Sequence, residues 1–124
     1  MTYRDKTIPI KIRLKGDWID HLESNKWSFR IKIDEGFDFK GIRKFSIQHP
    51  TTRSFLKEWL FHKIFEDEDI LTPKYEFISA SINNENLGIY AFEEHFDEKL
   101  ISAYGFPNTP ILKFNEKGLW EVRK

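Results

Sequence analysis

At 124 residues the chain is one domain or part of one, long enough for a real core and too short for a two-lobed enzyme. Its 20 basic and 20 acidic residues balance, so bulk charge does not mark it as a nucleic-acid or membrane binder. Sixteen percent aromatic residues with only six glycines exclude a disordered chain, and the lack of cysteine removes disulfides, thiolate metal sites and cysteine nucleophiles together. No apolar run reaches membrane-spanning length, and no signal peptide follows Met1. Missing cysteine suits a reducing compartment and many exported bacterial proteins alike, which leaves the compartment open.

Ile8, Ile10, Ile12 and Leu14 alternate with Pro9, Lys11, Arg13 and Lys15, predicting a half-buried strand over 8–15 with one basic face. Pro9 suits an edge position or a strand's first residues. Gly16 and Asp17 end it, and 18–26 is a polar connection. Trp27, Phe29, Ile31 and Ile33 then alternate with Ser28, Arg30, Lys32 and Asp34 in a second strand of the same design. If the two pair, Lys11, Arg13, Lys15, Arg30 and Lys32 build one positive shelf. Such a shelf can face phosphate, or it can be a solvated sheet face whose lysines discourage edge pairing; the pattern leaves both readings open.

Gly36 and Gly41 bracket a loop, a third strand follows over 42–49, and Pro50 stops it. Thr51 or Thr52 can cap a helix over 53–65. Its Phe55, Leu56, Trp59, Leu60, Phe61, Ile64 and Phe65 cover more than half the circumference, predicting a helix packed across one sheet face. Glu66 to Asp69 oppose the helix dipole at that end and read as a solvated loop. A fourth strand is predicted over 75–82 and a fifth, largely buried, over 87–92. Asn83, Asn84, Glu85 and Asn86 form the turn between them, because asparagine tolerates positive φ. The fifth strand breaks into Glu93, Glu94 and His95, which either hold charge at the edge of a cleft or simply meet solvent.

A short helix over 97–104 ending at Gly105, a rigid connector over 106–110 and a last short strand over 111–114 complete the pattern. The expected core is Trp27, Phe29, Ile31, Phe55, Trp59, Phe77 and Ile89. The fold class is α+β, a mainly antiparallel sheet of about five strands with one principal helix, and a helix between the third and fourth strands is the order of a protein-kinase small lobe. His62 and Glu66 stand four apart and can touch as a surface pair. Glu93, Glu94, His95 and Asp97 form a dense polar cluster able to bind a cation, while no H-E-x-x-H and no nucleophilic serine motif is present.

Three stretches carry a resemblance. Lys11-Ile12-Arg13-Leu14-Lys15-Gly16-Asp17-Trp18, Trp27-Ser28-Phe29-Arg30-Ile31-Lys32, and Asn83 through Gly88-Ile89-Tyr90 to Glu94 resemble the CotH kinase family, named after spore coat protein H, over about 10–114. The resemblance implies an atypical, secretory-type protein kinase fold that uses ATP and magnesium to phosphorylate proteins, with this chain as the nucleotide-facing N-terminal lobe of a longer bacterial parent. The family's catalytic and metal-binding aspartates belong to a C-terminal lobe with no counterpart here, and the G-x-G-x-x-G of ordinary kinases is absent. The 124 residues alone are therefore expected to be inactive.

Carried onto matching positions, Arg30 and Lys32 take the family's basic strand positions. Glu58 takes the helix carboxylate, with Arg30, Lys32 or Lys44 as its open choice of partner. Glu94 takes the carboxylate after the G-I-Y strand, near the adenine, and Lys113 the lysine of the last motif. The resemblance assigns no catalytic residue and no metal ligand within these residues. The expected partners are ATP, the parent's protein substrate, and a second copy through surfaces around Phe96, Leu100 and Trp120. The other functional class is a non-catalytic envelope or coat interaction module that keeps the lobe without the chemistry.

Overall fold

The computed structural model describes residues 1–15 and 26–112. A hairpin comes first, β1 (Thr2–Tyr3) against β2 (Lys6–Thr7), with Arg4 and Asp5 at positive φ in its turn. Next come β3 (Ile10–Leu14), β4 (Phe29–Ile33) and β5 (Lys44–Gln48). A 3-10 turn (Pro50–Arg53), helix α1 (Leu56–Asp67), β6 (Tyr75–Ile82), β7 (Glu85–Glu94) and a short α2 (Glu98–Ala103) follow. The strands β3 to β7 form one antiparallel sheet in the order β3-β4-β5-β7-β6, so the α+β class expected from the alternation holds. Ile82 pairs with Glu85, leaving Asn83 and Asn84 as a two-residue loop with φ of 51° and 65°. That is the primed turn whose twist matches the flanking strands.

One sheet face is the core. Phe45 and Phe92 pack with tilted rings whose centroids are 4.8 Å apart, and Phe39 lies 5.5 and 5.6 Å from them. Ile8, Ile31, Ile33, Ile42, Ile47 and Tyr90 complete the buried cluster, with Met1 and Tyr3 packed against it.

This closure corrects the expected position of the helix. The apolar sheet face is covered by the first hairpin and by Phe39 and Ile42 of the β4–β5 connection. With that face filled, α1 docks beside β6 through its polar stripe. His62 stacks on Tyr75 at 5.1 Å, and its Nδ1 lies 2.7 Å from the Pro73 carbonyl and 2.8 Å from Thr72 Oγ1. His62 meets Glu58 at 3.7 Å, not Glu66, which pairs with Lys63.

The boundaries shift as well. His49, not Thr51 or Thr52, caps the 3-10 turn by accepting from the Thr51 N–H at 3.1 Å. Ser54 and Phe55 then take positive φ, α1 starts at Leu56, and it continues through Glu66 and Asp67. Of the expected core, Ile31 is buried and Phe29, Trp59 and Phe77 are half-buried, whereas Trp27, Phe55 and Ile89 are exposed. Ile89 pairs with Ser79 and falls in the register of the polar face, so alternation turns it away from the core. Residues 111 and 112 are not in a strand, and the rest of the expected last strand lies outside the described residues. Leu100 is buried, while Trp120 also lies outside them.

Candidate functional site

The strand register assembles the basic face row by row. Lys11 of β3 stands opposite Lys32 of β4, which stands opposite Lys44 of β5. The His95 N–H donates to the Lys44 carbonyl at 2.9 Å and extends this row. A second row runs Arg13, Arg30, Ser46, Glu93, Tyr75 across all five strands. Lys11, Arg13, Arg30, Lys32, Lys44 and His95 line a concavity of about 360 Å³.

Like charges directly opposite on neighbouring strands are destabilising, so this edge of the sheet stores unfavourable energy. The Nε of Arg30 is buried without a hydrogen-bond partner, a donor left unused. His95 reports the same field: burial holds its pKa below the ordinary histidine value, and Arg30 and Lys44 push it down further against Asp97 and Glu93. Lys44 is the row's one partly neutralised member, 3.2 Å from Asp97, and Asp97 Oδ1 also accepts from the Lys99 and Leu100 N–H groups at the start of α2.

Toward the sheet centre the face changes character. Lys15 Nζ donates to Glu93 Oε2 at 2.7 Å and to Gln48 Oε1 at 3.0 Å, while Gln48 Nε2 donates to the same Glu93 oxygen at 3.2 Å. Lys15, expected on the shelf, is thus held by an internal carboxylate. Tyr75 is buried beside this network, and Gln48 approaches its hydroxyl without completing a hydrogen bond. Burial, then the charges of Glu58 and Glu93, push the Tyr75 hydroxyl up to about 12. Gln48 and Tyr75 escaped the sequence reading as site residues, and Glu93 was singled out there only as part of a cation cluster. Their signal was parity alone, as each sits at a polar-face register position.

Of the residues carried over from the resemblance, Arg30 and Lys32 are brought together on one face. Glu58 reaches Tyr75 electrostatically but, among the described residues, forms no ion pair with Arg30, Lys32 or Lys44; its partner is His62. Glu94 falls on the face opposite Glu93. Its Oε2 accepts from the Lys74 N–H at 3.0 Å, and it lines a separate cleft of about 640 Å³ with Trp59, Thr72, Tyr75 and Tyr104. Lys113 lies outside the described residues. Because alternation parts Glu93 from Glu94 and Asp97 is engaged by Lys44, the cation cluster does not form. Among the described residues no three histidine or carboxylate side chains converge on a metal-sized site.

The family model of the CotH kinase protein matches residues 12–119. The chain belongs to the CotH kinase family. No curated protein matches it. The CotH match takes in Arg13, both members of the Arg13–Arg30 pair, Lys32, Lys44, α1 and β7, and begins one residue after Lys11. The basic face offers an anionic group unneutralised lysines and the unpartnered Arg30 Nε. The described residues offer no carboxylate set for the metal. No helix among them is long and apolar enough to cross a membrane.

Proposed function

We propose that this CotH-family chain is the nucleotide-facing, N-lobe portion of a protein kinase, and that its basic sheet face receives the ATP polyphosphate. The observation that carries the reading is the opposed cationic pairs Lys11–Lys32 and Arg13–Arg30 beside an unsatisfied Arg30 Nε, in a chain whose net charge is zero. Charges of one sign placed directly opposite are a cost unless an anion bridges them, and a triphosphate supplies that anion. Arg30 provides a fork geometry suited to two phosphate oxygens, whereas Lys11 and Lys32 act as point charges around it. ATP itself supplies the transferable phosphoryl group when bound. Magnesium ligands and the catalytic base belong, on this reading, to a further part of the parent protein, so the 124 residues alone transfer no phosphate from labelled ATP.

The test is calorimetric titration of magnesium ATP into the protein, wild type and Arg30→Ala with Lys32→Ala, paired with a melt of each. Each charge-assisted contact to phosphate is worth about 1.5–3 kcal/mol, so the double variant should bind at least about tenfold more weakly. Both side chains project from the face opposite Ile31 and Ile33 and their removal relieves like-charge pairs, so the melting temperature should not fall. Equal affinity in the two proteins would reduce the shelf to a solvated sheet face.

A further inference from the structure

Helix α1 is turned inside out relative to an ordinary surface helix. Its inward stripe is mostly polar, with Glu58 and His62 facing Thr72, Pro73 and Tyr75 and the half-buried Trp59 the one large apolar side chain beside them. Its outward stripe is Leu56, Leu60, Phe61, Ile64 and Phe65, which are 65%, 53%, 59%, 44% and 40% exposed. Scattered exposed hydrophobes need no explanation, but five on one face of a twelve-residue helix form a contiguous patch.

Five large apolar side chains on one helix face, each two-fifths or more exposed, make the kind of contiguous patch that marks an interaction surface and not ordinary scatter. Lys57 and Asp67 are the polar residues that fall within this face, at the first and last turns of α1, and neither forms a salt bridge among the described residues.

We propose that this face is a homodimer interface, in which α1 packs antiparallel against α1 of a second copy. The proposal goes beyond the nucleotide reading and does not depend on it. A two-fold axis at the level of His62 sets Leu60 of each copy level with Ile64 of the other. It also sets Lys57 of each copy level with the other copy's Asp67. An isologous contact needs this self-complementarity: one apolar stripe with opposite charges at its two ends, equidistant from the middle. Antiparallel helices also oppose their dipoles favourably.

The test is sedimentation equilibrium of the 124-residue chain from low micromolar to millimolar concentration. The expected result is a reversible monomer–dimer equilibrium with Kd on the order of micromolar. Leu60→Asp with Ile64→Asp should weaken it at least about 100-fold while leaving the melt unchanged at concentrations well below Kd, where both proteins are monomeric and both side chains face solvent. Lys57→Glu should weaken it about fivefold through two surface ion pairs turned repulsive, and adding Asp67→Lys should restore the dimer. This swap keeps the apolar stripe intact, so it remains decisive even if the first variant folds poorly. A monomer at every concentration overturns the proposal, as does a dimer untouched by the Leu60 and Ile64 substitutions. Open-ended association, or a charge swap that fails to rescue, overturns it equally; an α1 face that binds lipid vesicles while the chain stays monomeric would name the other occupant.

Discussion

Two lysines on one sheet face, Lys15 and Lys32, show how the same residue type acquires different roles. Both come from alternating strands of the same design, and both belong to the basic stripe of β3 and β4 or its immediate flank. Lys15 reaches Glu93, and the side chains of that pair are only 15% and 23% exposed. Lys32 stands between Lys11 and Lys44 with no carboxylate opposite it in the row. The first is part of the structure. The second is surplus charge, available to a ligand. The lesson is that a basic stripe is not a binding site until its neutralised members have been subtracted, and here the subtraction leaves the end that carries Lys11, Arg13, Arg30 and Lys32.

Three experiments break or sharpen this contrast. The largest effect should come from behind the face, where the aromatic core holds both ends in register. Phe45→Ala removes a buried ring from the Phe39–Phe45–Phe92 cluster, and urea unfolding should show a loss of about 3–5 kcal/mol. A loss below 1 kcal/mol would mean that the cluster is not what sets the register. Next, Glu93→Gln keeps the shape but removes the charge that holds Lys15. Breaking a largely buried pair leaves Lys15 uncompensated, so unfolding free energy should fall by about 1–3 kcal/mol. If stability is untouched, Lys15 is as free as Lys32 and the two ends are alike.

The smallest effect is on His95. Its folded pKa lies below 6.5, so the folded protein takes up this proton less readily than the unfolded chain. The domain therefore keeps its full stability above about pH 6.5 and loses a share as pH falls from there toward the lower folded value, below which the loss is complete. An NMR titration of His95 should give a midpoint below 6.5 that rises in Arg30→Ala or Lys44→Ala. A midpoint that ignores both substitutions would show that burial alone sets it, and that the positive field does not reach the end of the row.

Much of the fold was readable from local pattern. The strand over 75–82 has the bounds expected, the other four strands of the five-stranded sheet lie within two residues of theirs, and the Asn83–Asn84 turn has the positive φ values that asparagine suggested, whereas the first hairpin was not foreseen and residues 111 and 112 are not a strand. The basic face was readable for the same reason, since a period of two sends Arg30 and Lys32 to one side whatever else the chain does. The position of α1 was not, because its composition promised burial against a sheet face that Phe39, Ile42 and the first hairpin had already filled. Glu94 was chosen over Glu93 although one residue's difference in a strand changes the face entirely.

The sequence by itself therefore determined the five strands of the main sheet and the two helices between and after them, the turn at the asparagines, the α+β class and the placing of bases on a single side. These are properties of a few adjacent residues, and no distant contact is needed to express them. Only the tertiary structure decided which bases stay unneutralised, which carboxylate meets them, what closes the core and which way α1 faces. Those outcomes depend on β5 lying beside β7, a pairing that sets Ser46 against Glu93 and brings Gln48 and Lys15 within reach of the same carboxylate. Contacts so distant along the chain follow from strand order and the competition to cover one apolar face, which no local rule specifies.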